Sequence, residues 1–492
     1  MSELMMKFRA FKSLFFLGIL FASFHLFYGV IYENHLGEGT DSDVLYPYLF
    51  ARDIWMGTGM GWNLPPSTTL FPDIILSILL YPITGSVESF HLIYGFFVFL
   101  LPFAFARSLG LKKSNSYLVS LGFLVLAGLD PNQLGQFFFP SFHGMTFLFA
   151  AWVLYELKHW KEKGKHQSIR FLFLMTMIWL SEYWFFVNIA PFLFVLVWIR
   201  LRWKSLVPFG MTLFGFFLSK IFATGFSFFG IGIIKTESFE LIPKLKSSLL
   251  LMIQNPSQSL EGILASITKD PLIYQWWERY LVIGIVFLMI TSFRFFERNH
   301  WKDFLFFLSP FVTIVFLYLF QIEPNIRYLY ILPFGFLYFS FRLMELNLWF
   351  QKIFPTFILV ALFIFYLGKH SDLITKIKSG EAKRTHRIEC LMDFDPNVPG
   401  ASSYWPIKYI YTFSDKKWTL VPFTKDGVYY PWVANTTWDG SWKDQPFPSF
   451  PWGVTESKEN LQIWPGVELV KECEGWYFFQ RKGSGGNNKP KN

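Results

Sequence analysis

The sequence has few charges, only two cysteines and no internal repeat. Asp, Glu, Lys and Arg together make up 16% of the 492 residues, and apolar and polar residues do not alternate in the way that membrane-spanning strands require. No small-x-small cleavage site follows the first apolar run, so we expect that run to stay as an anchor. The missing repeat also disfavours a transporter built from two matched halves.

Hydrophobic residues, by contrast, are abundant. They form 53% of the chain, aromatic residues form 21%, and Phe alone occurs 63 times. Apolar runs of about 15–20 residues recur as far as Gly368, and a helix of that length crosses a hydrocarbon core of about 30 Å. Because a helix satisfies its own backbone hydrogen bonds in lipid, the sequence predicts an all-α polytopic membrane bundle.

Lys and Arg residues set the predicted topology. If Lys7, Arg9 and Lys12 are cytoplasmic, the later basic clusters all fall on inside loops, provided that the apolar stretch 70–83 lies on the outer surface and does not cross. The prediction is therefore about eleven transmembrane helices. They are placed at 11–31, 89–107, 116–130, 141–157, 170–183, 184–199, 205–224, 280–296, 303–320, 328–343 and 353–368.

The formal net charge of +9 comes mostly from these inside loops. Phospholipid head groups are sufficient partners for them, so no nucleic acid is expected. An odd number of crossings places the C-terminus outside. We therefore expect an integral membrane protein of a bacterial inner membrane, with a cytoplasmic N-terminus and a periplasmic C-terminus.

Composition also predicts the domain organisation. Long apolar runs stop after Gly368, and Asp, Lys, Pro, Gly and Trp become more frequent. We predict a transmembrane domain over 1–368 with outer loops 32–88 and 225–279, a soluble extracytoplasmic module over 369–482 and a disordered tail over 483–492.

The extracytoplasmic module is expected to be small and either α+β or β-rich. The runs Arg387–Phe394, Lys408–Phe413 and Lys417–Phe423 are short and are bounded by Pro, Gly and Asp. Both cysteines, Cys390 and Cys473, fall in this module. They predict a disulfide in an oxidising compartment, with two unrelated buried thiols as the alternative.

The most informative polar residues are the carboxylates of the first outer loop. Asp41 and Asp43 follow directly on the first apolar run, which places them at the membrane surface. A deprotonated Asp there could act as a general base or hold a divalent cation. A polar cap on a membrane helix is the alternative. Asp73 follows Pro72 ahead of the interfacial stretch, where it could either bind substrate or simply start a helix.

Four further residues are candidate substrate contacts on the outer face. Glu182 lies at the tip of a tight hairpin, where an acidic residue near membrane depth is costly. Arg327 opens a predicted span from outside, and its guanidinium could hold a phosphate, with Tyr328 adding a hydrogen bond. A salt bridge from Arg327 to Glu323 is the alternative. His143, at another outer helix start, is a further possible phosphate contact.

These residues and this plan resemble the GT-C superfamily of integral-membrane glycosyltransferases, which includes protein O-mannosyltransferases and the aminoarabinose transferases of lipid A. The resemblance covers residues 1 to about 368. It implies a sugar donor linked to polyprenyl phosphate, with Asp41 or Asp43 as base. It also implies that Asp73 matches the acidic residue before the interfacial helix and that Arg327 matches the basic residue that holds the donor phosphate.

Two departures from the family pattern matter. The first loop carries Asp-Ser-Asp where the mannosyl and aminoarabinose enzymes carry Asp-Glu, so the identity of the base and a need for Mg²⁺ or Mn²⁺ stay open. The Trp-Trp-Asp signature of oligosaccharyltransferases is missing, which disfavours en bloc transfer. The expected function is inverting transfer of one sugar to a glycan, lipid or protein acceptor. The alternatives are a transporter or flippase, or a polymerase, of lipid-linked glycans.

Overall fold

A computed structural model describes the chain in segments. These are residues 21–32, 42–65, 67–129, 134–160, 164–234, 241–259, 315, 318–319, 330–346, 368, 372, 374–414, 417–430, 433–438 and 450–482. The chain divides into two compact units. Unit 1 comprises Met1–Val30, Gly95–Lys220 and Lys235–Lys369, and unit 2 comprises Ile31–Tyr94, Ile221–Ile234 and His370–Asn492.

Most of the described residues are helical. The helices are α1 (Phe21–Tyr32), α2 (Ser42–Trp55), α3 (Ile75–Thr84), α4 (Val87–Phe99), α5 (Leu101–Ser108), α6 (Lys113–Leu129), α7 (Thr146–Lys158), α8 (Gly164–Ser181), α9 (Trp184–Asn188), α10 (Ala190–Leu201), α11 (Leu206–Phe228), α12 (Leu241–Gln254), α13 (Ile331–Leu346), α14 (374–391), α15 (Tyr404–Phe413) and α16 (Lys458–Ile463). A π-helical turn, Leu70–Ile74, leads into α3, so the apolar stretch 70–83 is helical.

The strands all lie in unit 2. They are β1 (Asn63–Leu64), β2 (Gly232–Ile233), β3 (Gly400–Ser402), β4 (Leu420–Pro422), β5 (Trp452–Thr455), β6 (Val467–Cys473) and β7 (Trp476–Arg481). β1 and β2 pair in parallel, and the other five form one sheet in the order β4-β3-β5-β7-β6. Within that sheet β3 runs parallel to both β4 and β5, whereas β7 is antiparallel to β5 and β6.

Unit 1 has an aromatic core. The ring of Phe334 on α13 lies 4.7 Å from that of Phe105 and 4.8 Å from that of Phe147, and Phe123 lies 4.5 Å from Phe137. All five side chains are buried. Burial of each contributes about 1.5–3 kcal/mol, so the abundant Phe residues here stabilise helix packing.

The prediction of an all-α bundle with about eleven transmembrane helices is wrong. Among the described residues only two helices are long and apolar enough to cross a membrane, and a five-stranded sheet is present. The two helices are Val87–Ser108, formed by α4 and α5, and Leu206–Phe228. They coincide with the predicted spans 89–107 and 205–224. The predicted spans 280–296 and 353–368, except Gly368, lie outside the described residues, as do residues 11–20 of the first span and most of 303–320.

Among the described residues the other predicted spans correspond to helices that are shorter or partly polar. Thr146–Lys158 has 13 residues, which at 1.5 Å per residue reach about 20 Å, short of the 30 Å core. The run 184–199 is broken between α9 and α10 at Ile189. Gly164–Ser181 has 18 residues, but its first two turns are polar. Hydropathy counts apolar residues and does not register such breaks.

Two apolar helices therefore carry the indication of membrane association, by length and composition. Leu206–Phe228 adds a second property, because most of it is exposed, including Leu213, Phe217, Ile221 and Phe228. A helix that is apolar on its exposed faces is typical of contact with lipid or with another protein.

Unit 2 combines the first loop with the C-terminal sheet. Buried residues of α2, including Leu45, Leu49 and Phe50, share one core with Trp418 and Trp452 of the C-terminal segment. Cys390 at the end of α14 and Cys473 at the end of β6 form a disulfide, the pair that the sequence indicated. The tail 483–492 lies outside the described residues.

Two of the three predicted C-terminal runs are helical rather than extended. Arg387–Phe394 lies mostly on α14, and Lys408–Phe413 forms the second half of α15. The third run, Lys417–Phe423, contains strand β4. In α15 the apolar side chains of Ile407 and Ile410 are spaced for one buried helix face, a period that the short run on its own did not reveal.

Candidate functional site

Asp43 lies in the first turn of α2, where a carboxylate interacts favourably with the helix dipole. The hydroxyl of Tyr404 donates a hydrogen bond to Asp43 Oδ1 over 3.0 Å. The ammonium of Lys408 lies 3.6 Å from the same oxygen. About a quarter of the Asp43 side chain, 27%, remains exposed. Asp43 is therefore a carboxylate held on one side and open to solvent on the other.

Lys408 supplies the positive charge of this site. Its side chain is 1% exposed, and a buried ammonium is found almost only with a charged or hydrogen-bonding partner. Lys408 follows Tyr404 by four residues on α15, so both side chains lie on one helix face. The ammonium donates to the Tyr404 hydroxyl and lies 4.2 Å from the Tyr404 ring centre and 5.5 Å from that of Tyr46.

Tyr46 connects this cluster to the second part of the first loop. Its hydroxyl lies 2.6 Å from Thr69 Oγ1. Thr69 adopts a left-handed conformation with φ of 46°, directly before the turn that contains the cis peptide Phe71–Pro72. This side-chain hydrogen bond connects α2 to the segment that carries Asp73.

Asp73 is buried, unlike Asp43. Tyr94 on α4 donates to Asp73 Oδ1 over 2.6 Å, and the Ser77 hydroxyl donates to the Asp73 carbonyl oxygen over 2.7 Å. The predicted role of Asp73 in substrate binding stays a prediction. Its observed surroundings fit a residue that fixes the entry to α3.

His143 and Glu182, both predicted as substrate contacts, meet inside unit 1. His143 Nδ1 lies 2.9 Å from each oxygen of the Glu182 carboxylate, and both side chains are buried. With Glu182 ionised, Nδ1 is the donor. His143 and Ser141 both have positive φ, of 66° and 73°, a conformation that non-glycine residues rarely adopt and that occurs often at functional sites.

The carboxyl ends of the parallel strands bring further polar groups together. Ser403 follows β3 and Glu456 follows β5, and the Ser403 hydroxyl donates to Glu456 Oε2. Burial raises the pKa of Glu456 above its ordinary value, and the hydrogen bond from Ser403 acts in the opposite direction. Burial, with the nearby Asp43 charge as a second cause, raises the pKa of Tyr430.

Three of the predicted site residues lie outside the described residues, namely Asp41, Arg327 and Tyr328. Of the others, Asp43 and Asp73 belong to unit 2, and His143 and Glu182 belong to unit 1. Sequence reasoning missed Tyr404, Lys408, Tyr430 and Glu456. The four-residue spacing of Tyr404 and Lys408 was the one available sequence signal for this site. It places both side chains on one face only if the segment is a helix.

Two sets of residues bear on metal binding. His386, Cys390 and Cys473 have ligand atoms within 4.8 Å of one another, but the disulfide leaves both sulfurs without the thiolate charge that metal ligation requires. Asp43, the described member of the predicted metal pair, has a cation beside it already, the ammonium of Lys408.

Comparison of the chain with protein-family models, with curated proteins and with solved structures finds no match.

Proposed function

We propose that this chain is a membrane glycosyltransferase that moves one sugar from a polyprenyl-phosphate-linked donor to a glycan, lipid or protein acceptor, with inversion. The observation that supports it most is the environment of Asp43, a partly exposed carboxylate held by Tyr404 and Lys408. The described part of the chain also contains two long apolar helices. The resemblance to the GT-C superfamily in the first loop points in the same direction.

In the proposed reaction Asp43 acts as general base. It takes the proton of the acceptor hydroxyl, whose oxygen attacks the anomeric carbon from the side opposite the phosphate. The bond between that carbon and the phosphate oxygen breaks, and polyprenyl phosphate leaves with the electron pair. The ammonium of Lys408, 3.6 Å from Asp43 Oδ1, is the positive charge that faces the carboxylate. Tyr404 fixes the carboxylate orientation.

The remaining parts of the proposal follow the resemblance. Arg327 would hold the departing phosphate, with Tyr328 beside it, and Mg²⁺ or Mn²⁺ could assist. The exposed apolar surface of α11 offers a path for the polyprenyl chain. We further propose an integral location in a bacterial inner membrane, with the N-terminus cytoplasmic and the C-terminus periplasmic.

The test uses the purified full chain in liposomes with polyprenyl-phosphate-linked monosaccharides and a panel of acceptors. We expect sugar transfer by the wild type and a loss of about 100-fold or more for Asp43→Asn, in line with general-base catalysis. Asp372→Asn is the control, because Asp372 is an exposed carboxylate paired with Lys376, four residues further along the chain. Movement of intact donor between leaflets without transfer would favour a flippase instead.

A further inference from the structure

The C-terminal sheet has a topological switch point at its parallel strands. From β3 the chain passes through α15 to β4 on one side, whereas the neighbour on the other side is β5, whose chain continues through α16 towards β6. In open sheets, ligands bind beyond the carboxyl ends of strands at such points, because the connections diverge and leave a crevice. Ser403 and Glu456 occupy these two ends.

Two exposed aromatic residues lie at the same edge. Trp405, in the first turn of α15, is 40% exposed, and Tyr430 is 38% exposed. Tyr430 is fixed to the end of β4 by its backbone nitrogen, which donates to the Pro422 carbonyl oxygen over 2.9 Å. The Tyr404 ring contacts both, with its centre 4.9 Å from that of Trp405 and 6.1 Å from that of Tyr430.

The exposure of Trp405 distinguishes it from four other described tryptophans of the C-terminal segment. Trp418, Trp452, Trp464 and Trp476 are all buried in the two cores of this segment. A core therefore accounts for those four and does not account for Trp405. An aromatic side chain held at a surface beside carboxylates is typical of a binding surface.

We propose that Trp405 and Tyr430 stack on a sugar residue of a neutral glycan, and that Asp43 and Glu456 accept hydrogen bonds from its hydroxyls. Sugars present apolar C–H faces to aromatic rings and hydroxyl groups at their rims, and this edge offers both kinds of partner. As the acceptor glycan, the ligand would deliver a hydroxyl to Asp43; that assignment alone rests on the proposed function.

The charges at this edge disfavour two other classes of ligand, anions and quaternary ammonium ions. An anion such as phosphate would face the carboxylates of Asp43 and Glu456, while the ammonium of Lys408 is buried and paired with Asp43. A quaternary ammonium ligand, which aromatic cages bind, would be placed beside the Lys408 charge. A neutral ligand avoids both repulsions.

The experiment is saturation-transfer NMR and calorimetry of the full chain in nanodiscs. The probes are neutral hexose and N-acetylhexosamine oligosaccharides, tetramethylammonium and inorganic phosphate. We expect oligosaccharide binding that weakens about tenfold in Trp405→Ala, the size of one lost aromatic stack, and that Trp405→Phe restores in part. Trp203→Ala is the control, since Trp203 is an exposed tryptophan of unit 1.

The binding measurements test the proposed glycan site separately from sugar transfer. Sugar binding that depends on Trp405 supports it even if no donor is cleaved. Sugar transfer that Asp43→Asn abolishes, combined with no oligosaccharide binding or with equal binding by Trp405→Ala, would overturn the glycan site and leave the proposed function standing. Preference for tetramethylammonium or phosphate, or an equal loss in Trp203→Ala, would also overturn it.

Discussion

Asn435 donates a hydrogen bond to Asp53 over 2.7 Å, although 382 residues separate the two in sequence. Asp53 Oδ2 also accepts from the indole nitrogens of Trp62, at 3.1 Å, and Trp438, at 3.0 Å. The carboxylate, Trp62 and Asn435 are buried, and Trp438 is partly buried. One oxygen of this side chain thus holds three donors, two of them from the C-terminal segment, while Arg52 lies 3.4 Å from the other oxygen.

The first prediction concerns this carboxylate. Asp53→Ala leaves the donors of Trp62, Asn435 and Trp438 without this acceptor and Arg52 without its ion-pair partner, so we expect a loss of about 3–5 kcal/mol in the free energy of unfolding. Asp53→Asn keeps one acceptor oxygen and should cost less. Urea denaturation of the full chain in detergent measures both. Asp426→Ala, at an exposed turn, should stay within about 0.5 kcal/mol of wild type; an equal loss there would refute the prediction.

The second prediction concerns the buried pair of His143 and Glu182. His143→Ala leaves the Glu182 carboxylate buried without its donor, so it should cost about 3–5 kcal/mol. The double variant with Glu182→Ala removes that stranded charge and should cost less than the sum of the two single changes, by about 0.5–3 kcal/mol. The three unfolding curves measure this coupling. Simple additivity would show that the two side chains do not stabilise each other.

The third prediction concerns the disulfide between Cys390 and Cys473, which closes a loop with a sequence separation of 83. Restricting the unfolded chain over a loop of that length stabilises the fold by about 2–5 kcal/mol. Cys390→Ser combined with Cys473→Ser should lower the unfolding midpoint accordingly. A reductant should destabilise the wild type and leave the double variant unchanged. A wild type that is insensitive to the reductant under unfolding conditions would contradict this.

Part of this structure could be predicted from the sequence. The positions of the two long apolar helices followed from hydropathy, because an apolar run of about 20 residues typically forms a helix long enough to span a membrane. The pairing of Cys390 with Cys473 could be predicted because the chain has only these two cysteines. Asp43 was chosen as a candidate from its place after the first apolar run, and its catalytic role stays a prediction.

The partners of Asp43 could not be predicted, because Tyr404 is separated from it by 361 residues and only the tertiary fold brings the two together. The helix count failed for a different reason. The segment with positive φ at His143 delays the start of α7 to Thr146, and Ile189 separates α9 from α10. Such breaks depend on packing rather than on local hydrophobicity.

The fourth prediction concerns Glu456, whose pKa is raised by burial above its ordinary value of 4.5. Below that value the side chain is protonated in both the folded and unfolded states, so it imposes no penalty. As the pH rises through the folded pKa, the unfolded state releases its proton more readily, and the wild type loses stability. Glu456→Gln carries no such charge and should avoid this loss.

We therefore expect the unfolding temperatures of wild type and Glu456→Gln to agree at about pH 4 and to diverge towards neutral pH, with the variant more stable. Ser403→Ala, made in the wild type, should lower the unfolding temperature further towards neutral pH, because the Ser403 hydroxyl favours the ionised Glu456 carboxylate. Glu459→Gln, a substitution at an exposed residue three positions away, controls for the change in net charge. Its unfolding temperature should vary with pH as that of the wild type does. A constant difference between wild type and Glu456→Gln from pH 4 to 8 would mean that burial does not control this carboxyl group.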